Sequence, residues 1–469
     1  MGSDWSSRAD LFLDMDRSGG LGRGIERGLR EAICCGRLAR GAILPSSRSL
    51  ARDLGVARGT ISAAYGQLAA EGYLDVRQGT PARVRWLPRP RPSVADSPES
   101  AAHPRWDFRP GRPESASFPR QAWARAYRQV MSHAPDDAFG YGDVRGSAEL
   151  RDALADYLGR ARGVDTDPAR LLVCNGFTQA LNLICCALRA AGAATLAVEN
   201  PGARRYRRLA EAAGLHVVAV PCDQDGLRID CLSRSGASAV LVTPAHQYPL
   251  GVTMSPARRI ALVEWARRHQ ALIIEDDYDG EFRYDRQPVG ALQHLEPEYV
   301  IYTGSASKTL APGLRLGWIS SPTLLGKPLR TAKQHLDRGT SILDQLTFAE
   351  LITSGAFDRH VRRMRSSYGR RRDDLRYALT ANCPDLHLAG ISAGLHALIY
   401  LPERGPSEHE IQMRAARLSI GFHTLASYWH SPPVPCPKAI IIGYATPASH
   451  AYRPALSALT RVLACTGSR

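Results

Sequence analysis

Long apolar runs, lysine and paired cysteine motifs are all scarce in this sequence of 469 residues. No apolar stretch is long enough to span a bilayer, and the first twenty residues lack the apolar core of a signal peptide, so we expect a cytoplasmic protein with no membrane partner. The ten cysteines form no Cys-x-x-Cys or Cys/His pattern, which predicts neither a metal site nor a disulfide framework. Only four of the 60 basic residues are lysine, so a lysine in a chemically specialised setting indicates a function more strongly than an arginine would.

The remaining composition is that of a globular protein, with 44% hydrophobic and 22% charged residues. A chain of this length exceeds what one hydrophobic core usually organises, so at least two domains are expected. The formal net charge is +15, and residues 18–90 contain 12 arginines against five acidic residues. That concentration of positive charge favours a polyanionic partner for this part of the chain.

A proline-rich segment divides the chain. Residues 86–105 contain five prolines and few apolar side chains, which predicts a semi-extended linker. The predicted organisation is therefore an N-terminal extension (1–17), a small basic domain (18–85), the linker, and a large domain (106–469).

The small domain has the pattern of a winged helix-turn-helix. Apolar spacing and turn residues predict helices over 21–38, 48–54 and 58–71 and a two-stranded wing over 73–84. Ser46 or Ser47 can cap the second helix. In such a domain the third helix lies in the major groove of DNA.

A thirty-one-residue stretch, LPSSRSLARDLGVARGTISAAYGQLAAEGYL, resembles the DNA-binding domain of the GntR family along its whole length. The resemblance implies double-stranded promoter DNA as a partner. Any single arginine here could be only a solvated surface charge, but the long match favours DNA binding for the group. The residues that it implies for DNA binding are Arg48, Arg58, Gly59, Thr60, Arg77 and Gly79.

The large domain has the pattern of an α/β fold. Amphipathic segments alternate with short apolar runs, which is typical of a mostly parallel sheet covered by helices. The runs lie at 194–198, 217–220, 239–242, 271–274 and 299–302. From about residue 349 these runs become sparser and helical segments dominate, which predicts a smaller, helix-rich C-terminal subdomain.

Lys308 lies in a chemically specialised setting, YTGSASKTLAPGLRLGW. It directly follows a predicted strand, with Ser305 and Ser307 before it and Arg315 after it. A lysine that forms a Schiff base must be desolvated enough to lose its proton. Small hydroxyls and an arginine fork suit a phosphate dianion.

Two other strand ends carry matching features. Acidic residues end the buried strand in ALIIEDDYDGEFRY. If the ligand is an aldehyde cofactor such as pyridoxal phosphate, Asp276 can pair with its pyridine nitrogen and Tyr278 with its ring hydroxyl. Backbone N–H groups at Gly176, Phe177 and Thr178 can meet a phosphate at a helix N-terminus. Taken alone, Asp276 could be a helix cap and Tyr278 a packed aromatic. Their convergence at predicted carboxyl ends of strands, where open α/β sheets bind ligands, is the stronger argument.

From residue 106 to about 463 the chain resembles a fold-type I aminotransferase, with a three-layer, mostly parallel sheet and a small C-terminal subdomain. The motifs that carry the resemblance are DFRPG, FGYGDVRG, ENPG, TPAHQYPLG, EDDYDGEFRY, SASKTLAPGLRLG and RHVRRMRSSY. With the GntR-type domain, the chain is identified as a member of the MocR subfamily of bacterial regulators. This implies pyridoxal 5'-phosphate bound covalently to Lys308, with Arg315 and Ser307 at its phosphate and Asp276 at its ring nitrogen. It also implies a head-to-tail homodimer in which Tyr141 reaches the partner's phosphate.

The sequence departs from the catalytic pattern at three positions. Ala203 replaces an aromatic residue that stacks on the cofactor ring in many relatives, so we expect that His246 or Tyr248 stacks instead or that stacking is absent. Tyr248 also replaces the asparagine of catalytic aminotransferases. Ile441 replaces the arginine that clamps a substrate carboxylate. Loss of that clamp should weaken substrate positioning severely, so we expect no catalytic residues and no full transamination cycle.

The effector is left open between two classes. Pyridoxal phosphate itself could be the signal, as in regulators of vitamin B6 synthesis, or an amino compound could bind with Arg205 as an anion contact. Two other functions compete with regulation by the cofactor. One is a plain aminotransferase with an N-terminal extension, and the other is a DNA-binding protein whose large domain is a dimerisation scaffold without cofactor.

Overall fold

A computed structural model of the chain describes residues 20–85, 104–284 and 289–464. The predicted extension (1–17) and nearly all of the predicted linker lie outside these residues. The chain divides into two compact units, residues 1–102 and 103–469. Within the described ranges, none of the helices combines the length and apolar character needed to cross a membrane.

The first unit is a three-helix domain with a two-stranded wing. Its elements are α1 (Leu21–Cys34), α2 (Ser47–Leu54), α3 (Arg58–Ala70), β1 (Leu74–Asp75) and β2 (Arg83–Val84), with β1 antiparallel to β2. Ser46 caps α2 by accepting a hydrogen bond from the Ser49 amide at 3.1 Å. Helix α1 ends four residues before the predicted 38, because Gly36 adopts a φ of 81° that no helix continues through.

The second unit is built from eleven helices and fourteen strands among the described residues. Its helices are α4 (Arg120–His133), α5 (Ala148–Arg162), α6 (Phe177–Ala190), α7 (Arg204–Ala212), α8 (Ile229–Ser233), α9 (Pro256–His269), α10 (Thr323–Leu336), α11 (Ile342–Thr353), α12 (Ala356–Asn382), α13 (Glu408–Arg417) and α14 (Tyr452–Ala464). Its strands are β3 (Trp106–Asp107), β4 (Leu171–Cys174), β5 (Thr195–Asn200), β6 (His216–Asp223), β7 (Gly226–Leu227), β8 (Ala239–Val242), β9 (Leu272–Asp276), β10 (Val300–Ser305), β11 (Gly317–Ser320), β12 (His387–Ala389), β13 (Ala397–Tyr400), β14 (Ile420–Gly421), β15 (His423–Thr424) and β16 (Ala439–Ile442).

An eight-stranded sheet with the order β4-β11-β10-β9-β8-β5-β6-β7 organises this unit. The five predicted apolar runs are β5, β6, β8, β9 and β10, and each pairs in parallel with its neighbours in that set. Ile273 and Ile274 are adjacent on β9 yet belong to different hydrophobic clusters, because helices pack on both faces of the sheet. The predicted α/β fold with a mostly parallel sheet is confirmed.

The C-terminal part forms a second sheet, which the sequence did not predict. Strands β12, β13, β16 and β15 pair antiparallel in that order, and their core also contains α12 and α14. The strands are only two to four residues long, too short to give a clear alternating pattern. Helices α12 and α14 agree with the helix-rich character expected there.

Candidate functional site

A cavity of about 1090 Å³ in the second unit is lined by residues at the carboxyl ends of β5, β9 and β10. Open α/β sheets bind ligands at this edge. The predicted anion contact Arg205 lines it as well. Eight of the eleven residues predicted to bind the cofactor line it: Phe177, Thr178, Asp276, Tyr278, Ser305, Ser307, Lys308 and Arg315.

Lys308 follows β10 in a turn and points its amine into this cavity. Its Nζ donates a hydrogen bond to the carbonyl oxygen of Gly111 at 2.6 Å. Burial, followed by the Arg205 cation, lowers the pKa of Lys308 to about 8, although Asp279 and Asp276 oppose the shift. At neutral pH this amine is therefore unprotonated far more often than an ordinary lysine, as a nucleophile requires.

Asp276 is the last residue of β9 and is buried. Among the described residues, no donor makes a hydrogen bond to its carboxylate, and burial raises its pKa well above the usual range. A buried carboxylate is costly unless a partner satisfies it. A protonated ring nitrogen in the cavity would be such a partner, so this residue fits a pyridine cofactor.

Arg315 and the start of α6 form an anion site. Gly176 precedes the helix with a φ of 79°, and a Cβ there would lie 3.1 Å from the Arg315 guanidinium. Gly176 does not itself line the cavity. Its role in this geometry is to leave room for Arg315, which donates to the Asn175 carbonyl beside it. Helix N-termini and guanidinium groups both bind phosphate.

The prediction for His246 is corrected by the structure. Its side chain is 1% exposed and does not line the cavity. Its Nδ1 lies 3.0 Å from the Asp279 carboxylate, and the Tyr278 hydroxyl, which donates to the His246 carbonyl at 2.9 Å, lies at the cavity wall. His246 is held behind Tyr278 by these bonds, so it cannot stack on a ring in the cavity.

A buried cluster around His246 was not foreseen from the sequence. His246, Asp279 and His396 present possible ligand atoms that all lie within 4.8 Å of one another. Each imidazole is already engaged by protein, since His246 faces Asp279 and the His396 Nε2 lies 3.1 Å from the Pro249 carbonyl. Hydrogen bonding therefore accounts for the cluster without a metal ion.

Tyr206 is a cavity residue that the sequence reasoning missed. It lies within α7, three residues after Ala203, and its ring contacts Phe177 edge-on at 4.8 Å. The Arg205 guanidinium lies 4.8 Å from the centre of this ring and donates to its hydroxyl at 2.8 Å. An aromatic group thus lines the cavity near Ala203, although the motif position itself holds none.

A chain of hydrogen bonds joins the cavity to the C-terminal subdomain. The Tyr248 and Tyr428 hydroxyls lie 2.7 Å apart, and the Tyr428 hydroxyl lies 2.6 Å from Nδ1 of His423. All three side chains line the cavity. Ile441 is fully buried on β16 and offers no group to this site.

Glu199 is a further cavity residue without a predicted role. Its Oε2 accepts a hydrogen bond from the Thr243 hydroxyl at 2.6 Å, while its buried Oε1 has no partner among the described residues. Burial raises its pKa to about 7. The carboxyl is therefore only partly ionised near neutral pH, so it carries less than a full negative charge in the cavity.

Tyr141 lies outside the cavity of its own chain. Its side chain is 92% exposed, and the Arg338 guanidinium lies 4.9 Å from the centre of its ring. The prediction that it serves a partner subunit stays a prediction.

The predicted DNA contacts are exposed or partly exposed in the first unit. Arg48 lies in the first turn of α2, and α3 begins with Arg58, Gly59 and Thr60. The Arg58 Nε lies 3.5 Å from the Ser47 hydroxyl, so the starts of the two helices are adjacent. In the wing, Arg77 pairs with Asp75 at 3.3 Å, and Gly79 adopts a φ of 80° at the turn.

Comparisons with known families and proteins agree with both units. Residues 21–84 match the family described as bacterial regulatory proteins, gntR family, and residues 112–415 match aminotransferase class I and II. A protein of Rhizobium meliloti named probable rhizopine catabolism regulatory protein MocR is 33% identical over 93% of this chain and 92% of its own length.

The pyridoxine biosynthesis transcriptional regulator PdxR of Corynebacterium glutamicum is likewise 33% identical, over 86% of this chain and 87% of its own. Among solved structures, a multiple substrate aminotransferase from Thermococcus profundus is 24% identical with a TM-score of 0.69, and covers 78% of this chain and 92% of its own. That likeness shows the fold of the second unit.

Proposed function

Because this chain belongs to the MocR subfamily of GntR-type transcriptional regulators, we propose that pyridoxal 5'-phosphate held at Lys308 controls its affinity for promoter DNA. The observation that carries the proposal is the buried Asp276 carboxylate, which shares a cavity with Lys308 and lacks a donor among the described residues. The winged helix-turn-helix would bind double-stranded DNA through Arg48, Arg58, Gly59, Thr60, Arg77 and Gly79.

Each cavity residue would make a distinct contact with the cofactor. When bound, pyridoxal phosphate supplies an aldehyde that reacts with primary amines. Asp276 would accept from the ring nitrogen, and Arg315 with the start of α6 would bind the phosphate. The Tyr278 hydroxyl donates to the His246 carbonyl at 2.9 Å and lies 3.1 Å from Nδ1 of His246, and a remaining lone pair of its oxygen would accept from the ring hydroxyl.

The hydroxyls of Ser305 and Ser307 would complete the phosphate site. Both side chains line the cavity on either side of the end of β10, close in sequence to Lys308. The cofactor would therefore be held at its ring nitrogen, its ring hydroxyl and its phosphate before the Lys308 amine attaches it.

The signal in this proposal is the cofactor itself or an amino compound that reacts with it. Control of vitamin B6 synthesis is supported by the relative that is named as a regulator of pyridoxine biosynthesis. An amino compound is supported by Arg205, which lines the cavity and is joined to Tyr206. A ligand can shift DNA affinity no further than its differential affinity for the two states of the protein.

Transamination is the competing function, because the cavity retains a lysine, an acid and a phosphate site. We propose that a full catalytic cycle does not occur, since buried Ile441 occupies the position of the substrate-clamping arginine. Incubation of purified protein with a panel of amino acids, followed by assay for keto acids, tests this point. Sustained keto-acid production would establish the enzyme instead.

A homodimer is part of the same proposal. Tyr141 is exposed and lies outside its own chain's cavity, which supports a role at the phosphate of a partner subunit. Sedimentation analysis should give a dimer, and Tyr141→Phe should weaken retention of the cofactor without changing the fold.

The experiment that tests the regulatory proposal compares Lys308→Ala with Lys327→Ala, which changes an exposed lysine on α10. Promoter-fragment binding is measured with and without pyridoxal phosphate. We expect the cofactor to change the affinity of wild type and Lys327→Ala but not of Lys308→Ala, which should also lose the cofactor's visible absorbance. If Lys308→Ala responds to the cofactor as wild type does, the proposal is wrong.

A further inference from the structure

The cavity contains more arginine charge than a cofactor phosphate needs. Its lining includes Arg109, Arg112, Arg204, Arg205 and Arg315. Of these, Arg109 alone is closely paired, through two hydrogen bonds of 2.8 and 2.7 Å to Asp107. Arg112 approaches the same carboxylate only at 3.9 Å, and no carboxylate among the described residues pairs with the other three.

One anion does not balance these charges. The phosphate of the proposed cofactor would be served by Arg315 and the start of α6, which leaves Arg112, Arg204 and Arg205. The acids that line the cavity are Glu199, Asp276 and Asp279. Asp279 contacts His246, and Asp276 interacts electrostatically with Arg205 without an ion pair to it, so among the described residues neither acid forms an ion pair with these arginines. Unpaired guanidinium groups in a partly desolvated cavity favour an anionic ligand.

Arg112 is anchored by its backbone, while its side chain makes, among the described residues, only the long contact with the Asp107 carboxylate. The preceding residue, Gly111, accepts the Lys308 hydrogen bond at 2.6 Å, so Arg112 begins directly beside the reactive amine. The Thr446 hydroxyl is close to the carbonyls of Arg109 and Arg112, at 2.9 and 3.0 Å. The Arg112 side chain itself is 57% exposed.

The anchor of this loop follows the strand that carries Ile441. Strand β16 ends at Ile442, the Gly443 amide donates to the Phe108 carbonyl at 2.6 Å, and Thr446 lies three residues later. The end of the C-terminal strand thus packs against the Arg112 loop. Where that strand presents a buried isoleucine, the adjoining loop presents a guanidinium to the cavity.

Resting on the proposed function, we propose that Arg112 and Arg205 form a recognition site for an amino dicarboxylic acid whose amine faces Lys308. Arg112 in this arrangement supplies the carboxylate contact that Ile441 does not. Two carboxylates match the charge better than one, because three guanidinium groups remain after the phosphate site is filled. Arg204, whose guanidinium reaches the Trp429 carbonyl at 3.4 Å, lies beside Arg205 on α7.

The test titrates three probes into the full-length, cofactor-loaded protein and measures binding by calorimetry. L-Glutamate carries two carboxylates, L-glutamine carries one, and L-alaninamide keeps the amine but has none. We expect wild type to bind glutamate most tightly and alaninamide most weakly. Arg112→Gln should weaken glutamate binding about tenfold or more, the usual size of a lost charge-assisted hydrogen bond, and should narrow the difference between glutamate and alaninamide.

Arg330→Gln is the matched control, because it removes an exposed arginine on α10 that is not part of the cavity. It should bind all three probes as wild type does. Thermal unfolding of both variants checks that the fold is intact.

Visible absorbance of the bound cofactor, recorded for every variant, separates two kinds of failure. If wild type never retains the cofactor, the proposed function fails. If wild type retains it but binds glutamate no better than alaninamide, or if Arg112→Gln binds glutamate as wild type does, the recognition site is wrong while the proposed function stands.

Discussion

The functional charged side chains of the two units differ in their exposure to solvent. In the winged helix-turn-helix, Arg48, Arg58 and Arg77 are exposed, and such hydrated cations gain affinity for DNA by displacing counterions. In the second unit, Asp276 and Lys308 lie at strand ends in a cavity, and burial shifts both of their pKa values toward the neutral form. Exposed charge suits a long polyanion, whereas desolvated charge suits recognition of, and reaction with, one small molecule.

Of the changes predicted here, Asp276→Asn should have the largest effect, and that effect is on cofactor affinity. The substitution keeps the shape but removes the carboxylate that would pair with the protonated ring nitrogen, so affinity for pyridoxal phosphate should fall by about 10- to 100-fold, as for a hydrogen bond to a charged group. The free energy of unfolding of the cofactor-free protein should not fall, because the buried carboxylate lacks a donor among the described residues. Equilibrium titration followed by absorbance, together with chemical denaturation, measures the two quantities.

Asp344→Asn is a suitable control, since Asp344 lies in α11 and is not part of the cavity lining. It should leave cofactor affinity unchanged. A loss of stability in cofactor-free Asp276→Asn would instead assign Asp276 a structural role and remove the main support for cofactor binding.

On the DNA side, Arg58→Ala should weaken promoter binding by about 1–3 kcal/mol if the side chain reads a base edge from the start of α3. Arg77→Ala in the wing should act differently. As a phosphate contact it should weaken binding to all sequences alike and reduce the slope of log affinity against log salt by about one. Fluorescence anisotropy over a salt series distinguishes the two.

Arg40→Ala removes an exposed arginine outside the predicted contact set and serves as the control. If Arg58→Ala loses the same affinity for specific DNA as for random DNA, Arg58 contacts phosphate and not a base.

The sequence predicted those parts of both units that lie in continuous segments. The winged helix-turn-helix was recognisable because its helices and wing fall within one short stretch with local spacing and caps, such as Ser46. In the large domain, Lys308, Asp276 and Thr178 each lie just after an apolar run, at a strand end. Strand ends in a parallel sheet share one edge, so these residues could be placed together before the structure was known.

Residues brought in from distant segments could not be placed in the same way. Arg112 reaches the cavity because Gly443 and Thr446, more than 300 positions later, fix its loop. Tyr428 meets Tyr248 across 180 positions. His246 shows the converse problem, since it follows a strand as Lys308 does but its ring is drawn behind the cavity wall by Asp279.

A smaller effect is expected of pH on the rate at which pyridoxal phosphate attaches to Lys308. The pKa of Lys308 is lowered to about 8 by burial and by the Arg205 cation, so the neutral amine becomes dominant only above that pH. Attachment of pyridoxal phosphate to the cofactor-free protein should accelerate about tenfold per pH unit below about 8 and level off above it. Attachment to free Nα-acetyl-lysine, measured in the same buffers, should continue to accelerate to about pH 10 and corrects for ionisation of the cofactor.

Arg205→Gln removes the second cause of the lowered Lys308 pKa. The attachment rate of this variant should therefore level off at a higher pH than that of wild type. A rate that rises through pH 9 without levelling would show that Lys308 is solvated like a surface lysine, and the contrast between the two units would then be lost.

The smallest expected effect tests whether the units are energetically separate. Ser46→Ala removes the cap that accepts the Ser49 amide, and such a loss costs about 1 kcal/mol. Because this cap belongs to the first unit alone, the loss should appear as lower stability of the DNA-binding unit and weaker promoter binding, with cofactor affinity unchanged. Ser46→Asp, which keeps a capping oxygen, should restore stability but not DNA affinity, because it adds a negative charge near Arg48. If Ser46→Ala also weakens cofactor binding, folding of the two units is coupled, and the signal from Lys308 to DNA would pass through stability as well as through geometry.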